Sequence, residues 1–345
     1  MNEKGIELKR RSLSIDMVKG LSIMTLFFLH FENGWINPEY NFFIVRSPAF
    51  YIVVGWLWGM STNKKTIKGH WERRKEGLVK PYIWLSIIFL CFDLLMILSH
   101  QIEPIILGRD IYKTISLRGI GTLWFLPALL GGELLFIYFR DRKTSPKICI
   151  SIICLLFIIA FSKYSSLAII ENQNLNFACK SIFNVIKDIS NAFIYISIAY
   201  FISNKYGKQL FYSKRIYLFL IGITFLGTAF YGLNFIDTKF ETTDTLLFIF
   251  SNCCSGFGIL FLFRSIEWFK PLSVPLSYCG KNSLIIMAFH MCIIFPLVQT
   301  IDKNLFGYNV YYGNRTIVYF LVALIIQFVI IEIINKKFRF IIGKK

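Results

Sequence analysis

The sequence predicts an all-α, polytopic membrane protein with about ten transmembrane helices and both termini in the cytoplasm. Three observations carry this. The 345 residues are 55% hydrophobic and 17% aromatic, with a mean hydropathy of +0.57, too apolar for a water-exposed chain. Apolar runs long enough to cross a bilayer recur from end to end. The 38 Lys and Arg also sort by side: with the N-terminus inside, 27 fall in cytoplasmic segments, nine in the opposite loops, and Lys19 and Arg46 within helices. That is the positive-inside asymmetry. The net charge of +18 is therefore a topology signal, and no nucleic-acid partner is expected.

The expected spans are 13–32, 43–60, 81–100, 122–139, 148–162, 189–203, 216–235, 245–263, 282–300 and 316–335. The first follows Lys4, Lys9, Arg10 and Arg11 without a small-residue cleavage site, so it reads as a retained helix and not a signal peptide. The second carries Arg46 near its outer end, in Arg46-Ser47-Pro48-Ala49-Phe50. A basic loop, 61–80, leads through Pro81-Tyr82 into the third, which holds Asp93. The fourth opens with Gly121-Thr122-Leu123-Trp124-Phe125-Leu126-Pro127 and holds Glu133. The fifth is the weakest, being short for a full crossing. Cys253 and Cys254 in the eighth read as helix packing, because none of the eight cysteines has metal-type or disulfide-framework spacing. The ninth runs Gly280-Lys281-Asn282-Ser283-Leu284 to His290, near mid-membrane. The longest connections reach about 25 residues, so 1–345 is expected to form a single membrane domain.

An ionisable residue in a membrane helix is costly and by default marks a functional site. Lys19 and His30 are eleven residues apart, close to three helical turns, which puts them on one face roughly 16 Å apart. Asp16 falls within about 60° of the same stripe. Imidazole titrates near neutrality and can take a proton from a hydroxyl group. The plainer reading has Lys19 snorkelling to the headgroups and His30 capping the helix. Arg46 at the depth of His30 either holds an anionic group or developing oxyanion, or binds lipid headgroups. Trp124 either belongs to the interfacial aromatic belt or lines a site. His290 either makes a helix-packing hydrogen bond or joins the chemistry. Glu133 and Asp93 are expected to face the bundle interior, with protonation or a cationic partner lowering their cost. The seven basic residues of 61–80, including Arg73, Arg74, Lys75 and Lys80, attract acidic lipids or a phosphorylated cofactor.

These landmarks, in this order and across essentially the whole chain, resemble the acyltransferase-3 family of membrane acyltransferases. The carriers are Asp16-x-x-Lys19-Gly20 with His30, Arg46 before Pro48 and Phe50, and the basic stretch before Pro81-Tyr82. Leu123-Trp124-Phe125-Leu126 and Gly280-x-Asn282-Ser283-Leu284 with His290 complete the set. The chain looks most like the short fucose-acetylase-like and exopolysaccharide-modifying members. The resemblance implies a multi-pass protein of the bacterial inner membrane that moves an acetyl group from cytoplasmic acetyl-CoA, as co-substrate, to a hydroxyl of a surface or lipid-linked glycan. It needs no metal. His30 matches the family's catalytic histidine, Lys19 a donor-handling basic position that is often arginine, and Arg73–Arg74 a CoA-recognition motif. Lysine at 19 keeps the charge but loses the bidentate fork, and Gly77 stands where many members have a second arginine. Arg74, Lys75 and Lys80 are the candidates to compensate. Membrane lipids, polysaccharide-assembly proteins and further copies of the chain are the expected partners.

Two other readings also fit the sequence. A transporter or flippase for lipid-linked sugars would also place Lys, Arg, Asp and His in membrane helices, although paired broken helices in two matching halves are not seen. The same enzyme class with another donor, such as succinyl-CoA, is the second.

Overall fold

The computed structural model describes residues 12–31, 47–61, 66–164, 172–234, 242–306 and 316–344, and among these no strand occurs. The helices are α1 (Leu13–Phe31), α2 (Pro48–Met60), α3 (Ile67–Leu98), α4 (Pro104–Ile115), α5 (Phe125–Arg140), α6 (Thr144–Tyr164) and α7 (Gln173–Phe211). After them come α8 (Arg215–Asn234), α9 (Thr242–Ile266), α10 (Lys270–Lys281), α11 (Ser283–Phe289), α12 (Phe295–Phe306) and α13 (Thr316–Lys337). Among the described residues eight are long and apolar enough to cross a membrane, and the pair Lys270–Lys281 and Ser283–Val298, bent by 64°, makes a broken span or a re-entrant loop. The short α2 falls where a tenth was expected; its thirteen residues rise only about 20 Å, so it lies within the bundle without spanning it alone.

α1 and α9 are mostly enclosed by their neighbours, whereas α6 and α13 expose most of their surface to the surroundings. α1 lies against α10, α9, α2 and α11, which puts its polar stripe inside the bundle. The approach of α1 to α10 is a backbone contact. A Cβ on Gly20 would fall 1.9 Å from the Leu276 carbonyl oxygen, and one on Gly280 would fall 1.8 Å from that of Asp16. Small residues that let helix backbones touch are how membrane helices associate when no hydrophobic drive separates helix from lipid. Two glycines of the sequence landmarks therefore serve packing. Asn282, at the bend, donates to the Tyr278 carbonyl at 3.0 Å and accepts from Asn335 of α13 at 2.8 Å, which ties the break to the last helix. All eight cysteines are free, and Cys253 and Cys254 are buried in α9.

The entry to the third span differs from expectation. Residues 67–79 are helical and continuous with the third span, where a loop was expected over 61–80. Thr66 starts the helix, its hydroxyl accepting from the Gly69 N–H at 3.3 Å. Residues Lys75–Val79 form a π turn closed by the Lys80 N–H on the Lys75 carbonyl. The cause is Pro81, which has no N–H for the carbonyl of Gly77 and whose ring would crowd it. The wider turn makes room. The same arrangement recurs at His290–Ile294, closed by the Phe295 N–H on the His290 carbonyl, with Pro296 next in sequence.

Candidate functional site

Two cavities meet inside the bundle. The inner one, of about 360 Å³, is lined by Lys19 of α1 and by His70, Arg73, Arg74 and Gly77 of the new helical stretch. Apolar residues of α2 and α5, Trp58, Leu126 and Leu129 among them, close its sides. It is a basic mouth on a hydrophobic throat. Glu133 lies behind its wall, fully buried, with Oε2 3.2 Å from Nε2 of His70 and Oε1 paired to Arg74. A carboxylate only accepts, so His70 donates from Nε2. The pair fixes the basic helix against α5 and supplies the cationic partner that a membrane carboxylate requires.

The outer cavity, of about 400 Å³, is lined by His30 of α1, His290, Trp124, Thr122 and Gly121, together with Arg118 and Asp188. Gly121 holds φ at +52°, a left-handed conformation that side chains avoid, and a Cβ there would meet the Cys292 sulfur at 2.4 Å. That turn starts the 3₁₀ segment Gly121–Trp124, and Thr122 then donates its hydroxyl to the Met287 carbonyl. Nδ1 of His30 lies 2.8 Å from Nε2 of His290, and the rings stack with centroids 4.9 Å apart. His290 is buried, with Nδ1 2.7 Å from the Ile286 carbonyl oxygen. Arg118 and Asp188 form an ion pair at 2.9 Å. Phe50, Phe125 and Met287 line both cavities and so form the wall between them.

Of the residues singled out in the sequence, His30, His290 and Trp124 come together in the outer cavity, and Lys19, Arg73 and Arg74 in the inner one. Asp16 is buried where α1 meets α10 and lines neither. Glu133, expected to face the bundle interior with a cationic partner, lines neither cavity and has its carboxylate engaged by His70 and Arg74, because a fully buried charge needs partners. Lys80 pairs with Glu76 at 2.6 Å on an exposed face, and Lys75 is exposed and lines neither cavity. Asp93 faces Asp110, which pairs with Lys113 at 2.5 Å. Arg46 and the N-terminal residues 1–11 lie outside the described residues.

Three further cavity residues, His70, Arg118 and Asp188, lie outside the sequence landmarks. His70 stands four residues before Arg74, a spacing that puts both on one helical face. Reading 61–80 as a loop hid it. Arg118 and Asp188 lie 70 residues apart, and their pairing leaves no local signal. Among the described residues no group of three or more His, Cys, Asp or Glu converges as a metal site.

The arrangement offers a place for an anion beside an apolar slot, and an imidazole base beside polar groups beyond a thin aromatic wall. A family model described as an acyltransferase domain matches residues 12–335. No curated protein and no solved structure matches the chain.

Proposed function

The chain belongs to the acyltransferase family defined by that match, and from this premise we propose that it carries an acetyl group from cytoplasmic acetyl-CoA to a hydroxyl of a cell-surface or lipid-linked glycan. The supporting observation is the shared wall: the basic cavity and the histidine cavity abut across Phe50, Phe125 and Met287. In this reading the basic cavity opens to the cytoplasm of a bacterial inner membrane, as the sorting of Lys and Arg implies. Lys19, Arg73 and Arg74 hold the donor's phosphates. The apolar throat takes the thin thioester arm, whose acyl end passes the wall while the nucleotide stays outside the membrane.

In the outer cavity, His30 draws the proton from the acceptor hydroxyl as its oxygen attacks the thioester carbonyl. The C–S bond breaks, the sulfur leaves as CoA thiol with that proton, and the acyl ester remains on the acceptor. Asp188 and Arg118 offer an acceptor and a donor side by side, which suits the vicinal hydroxyls of a sugar. The test is transfer of radiolabelled acetyl from acetyl-CoA to membrane glycans by wild type and His30→Ala. Label with wild type alone is expected. Equal label with both proteins would falsify the role of His30, and labelling from succinyl-CoA in place of acetyl-CoA would change the donor.

A further inference from the structure

We propose that His290 is a positioning residue that holds the proton of His30 on Nδ1, leaving Nε2 of His30 as the unprotonated nitrogen that serves as base in the outer cavity. This rests on the acyl-transfer reading above. Two hydrogen bonds of His290, a buried ring that is neutral, place the protons. A carbonyl oxygen can only accept, so the 2.7 Å contact with Ile286 requires the proton of His290 on Nδ1. That carbonyl, one turn earlier, also takes the backbone N–H of His290, so both its lone pairs are used and the ring is fixed in place. A neutral His290 then has a lone pair on Nε2. The 2.8 Å contact from that nitrogen to Nδ1 of His30 needs one proton, and only His30 can supply it. Neutral His30 carrying its proton on Nδ1 has its lone pair on Nε2.

The relay is thus a backbone carbonyl, a neutral imidazole and a second imidazole, with a neutral ring in the place where a carboxylate orients histidine in hydrolytic triads. When His30 takes the acceptor proton at Nε2, the bond from its Nδ1–H to His290 is unchanged in sense. No partner has to turn over, which is the condition for low reorganisation at the moment of reaction. The π turn that begins at His290, where α11 gives way to α12, sits at the point where this ring is aimed.

Solid-state NMR of the full-length protein in lipid, with ¹⁵N-labelled histidine, reads the tautomer directly. The chain has four histidines, His30, His70, His100 and His290, and subtraction of a His30→Asn spectrum assigns the one that matters. At a pH where both rings are neutral, wild-type His30 is expected as the Nδ1–H form. In His290→Leu it should relax to a mixture, and in His290→Gln, whose amide oxygen can accept in place of Nε2, the Nδ1–H form should return. Transfer should follow: kcat about 100-fold lower in His290→Leu, within about tenfold of wild type in His290→Gln, with both KM values unchanged. Wild-type His30 protonated on Nε2, or the Nδ1–H form kept in His290→Leu, would overturn the proposal. So would a wild-type kcat in His290→Leu. The spectrum needs neither donor nor acceptor, so loss of the acyl-transfer reading would leave the tautomer assignment standing.

Discussion

Phe50 and Phe125 meet edge to face with ring centroids 5.4 Å apart, and the contact forms part of the wall that separates a basic cavity from a histidine cavity. Met287, whose backbone carbonyl is held by Thr122, completes it. The wall therefore consists of side chains on three different helices, α2, α5 and α11, and any passage between the cavities requires rotation of those side chains.

Filling that wall should block passage without touching the donor's charge contacts. Met287→Trp is expected to lower kcat at least about tenfold, roughly 1.4 kcal/mol on the barrier. The affinity for CoA alone, read by calorimetry, should stay near the wild-type value. A variant that transfers at the normal rate would mean the acyl group does not pass here.

The donor's phosphates are assigned to the basic mouth. Arg73, exposed at its edge, is expected on truncation to alanine to raise the acetyl-CoA KM about tenfold while leaving the acceptor KM unchanged. Steady-state kinetics with each substrate varied in turn separates the two, and an equal rise in both would count against the assignment.

On the other side, Arg118→Ala should do the reverse. It removes one charged hydrogen-bonding partner of Asp188 from the outer cavity, so the acceptor KM should rise about tenfold and the acetyl-CoA KM should not move. The same kinetic matrix reads it.

Glu133 and Arg74 should be coupled in stability. Arg74→Leu leaves a fully buried carboxylate with His70 alone, an expected cost of about 3 kcal/mol, taken at the low end because the guanidinium is partly exposed. Adding Glu133→Leu should recover much of that loss. Unfolding of the three variants in detergent forms a double-mutant cycle, and additive effects would show that the pair is not coupled.

Close approach of α1 and α10 predicts that Gly280→Val lowers the yield of folded protein. Its side chain would collide with the Asp16 carbonyl, and overpacking of this kind costs about 3 kcal/mol. Gel filtration after detergent extraction measures it.

Much of this was legible in the sequence, for identifiable reasons. Apolar runs located most of the crossings because lipid demands about twenty apolar residues per helix, and even the weakest candidate, 148–162, lies within a full-length helix, Thr144–Tyr164. The stripe of Lys19 and His30 was readable because helical period is a local property. The need of Glu133 for a cation was readable from burial cost, but which cation was not. His70 and Arg74 come from 59 or more residues away, on a segment whose dense charge resembles a loop. Arg118 and Asp188 were hidden for the same reason, since only the packing of α7 near the turn before α5 brings them together. Asp16, on the polar stripe, and Gly280, a landmark of the resemblance, meet in a helix contact that the sequence does not reveal.

The two wide turns have a further consequence. Each inserts one extra residue into its helix, a rotation of about 100° in helical phase, and each stands just before a proline. The missing amide protons of Pro81 and Pro296 thus act as angular offsets. One sets the azimuth of Arg73 and Arg74 relative to the span that anchors them. The other sets that of His290 relative to the segment beyond it. Restoring the amide with alanine at either place would let the turn tighten and swing a functional side chain out of its cavity, although the prolines themselves line neither one.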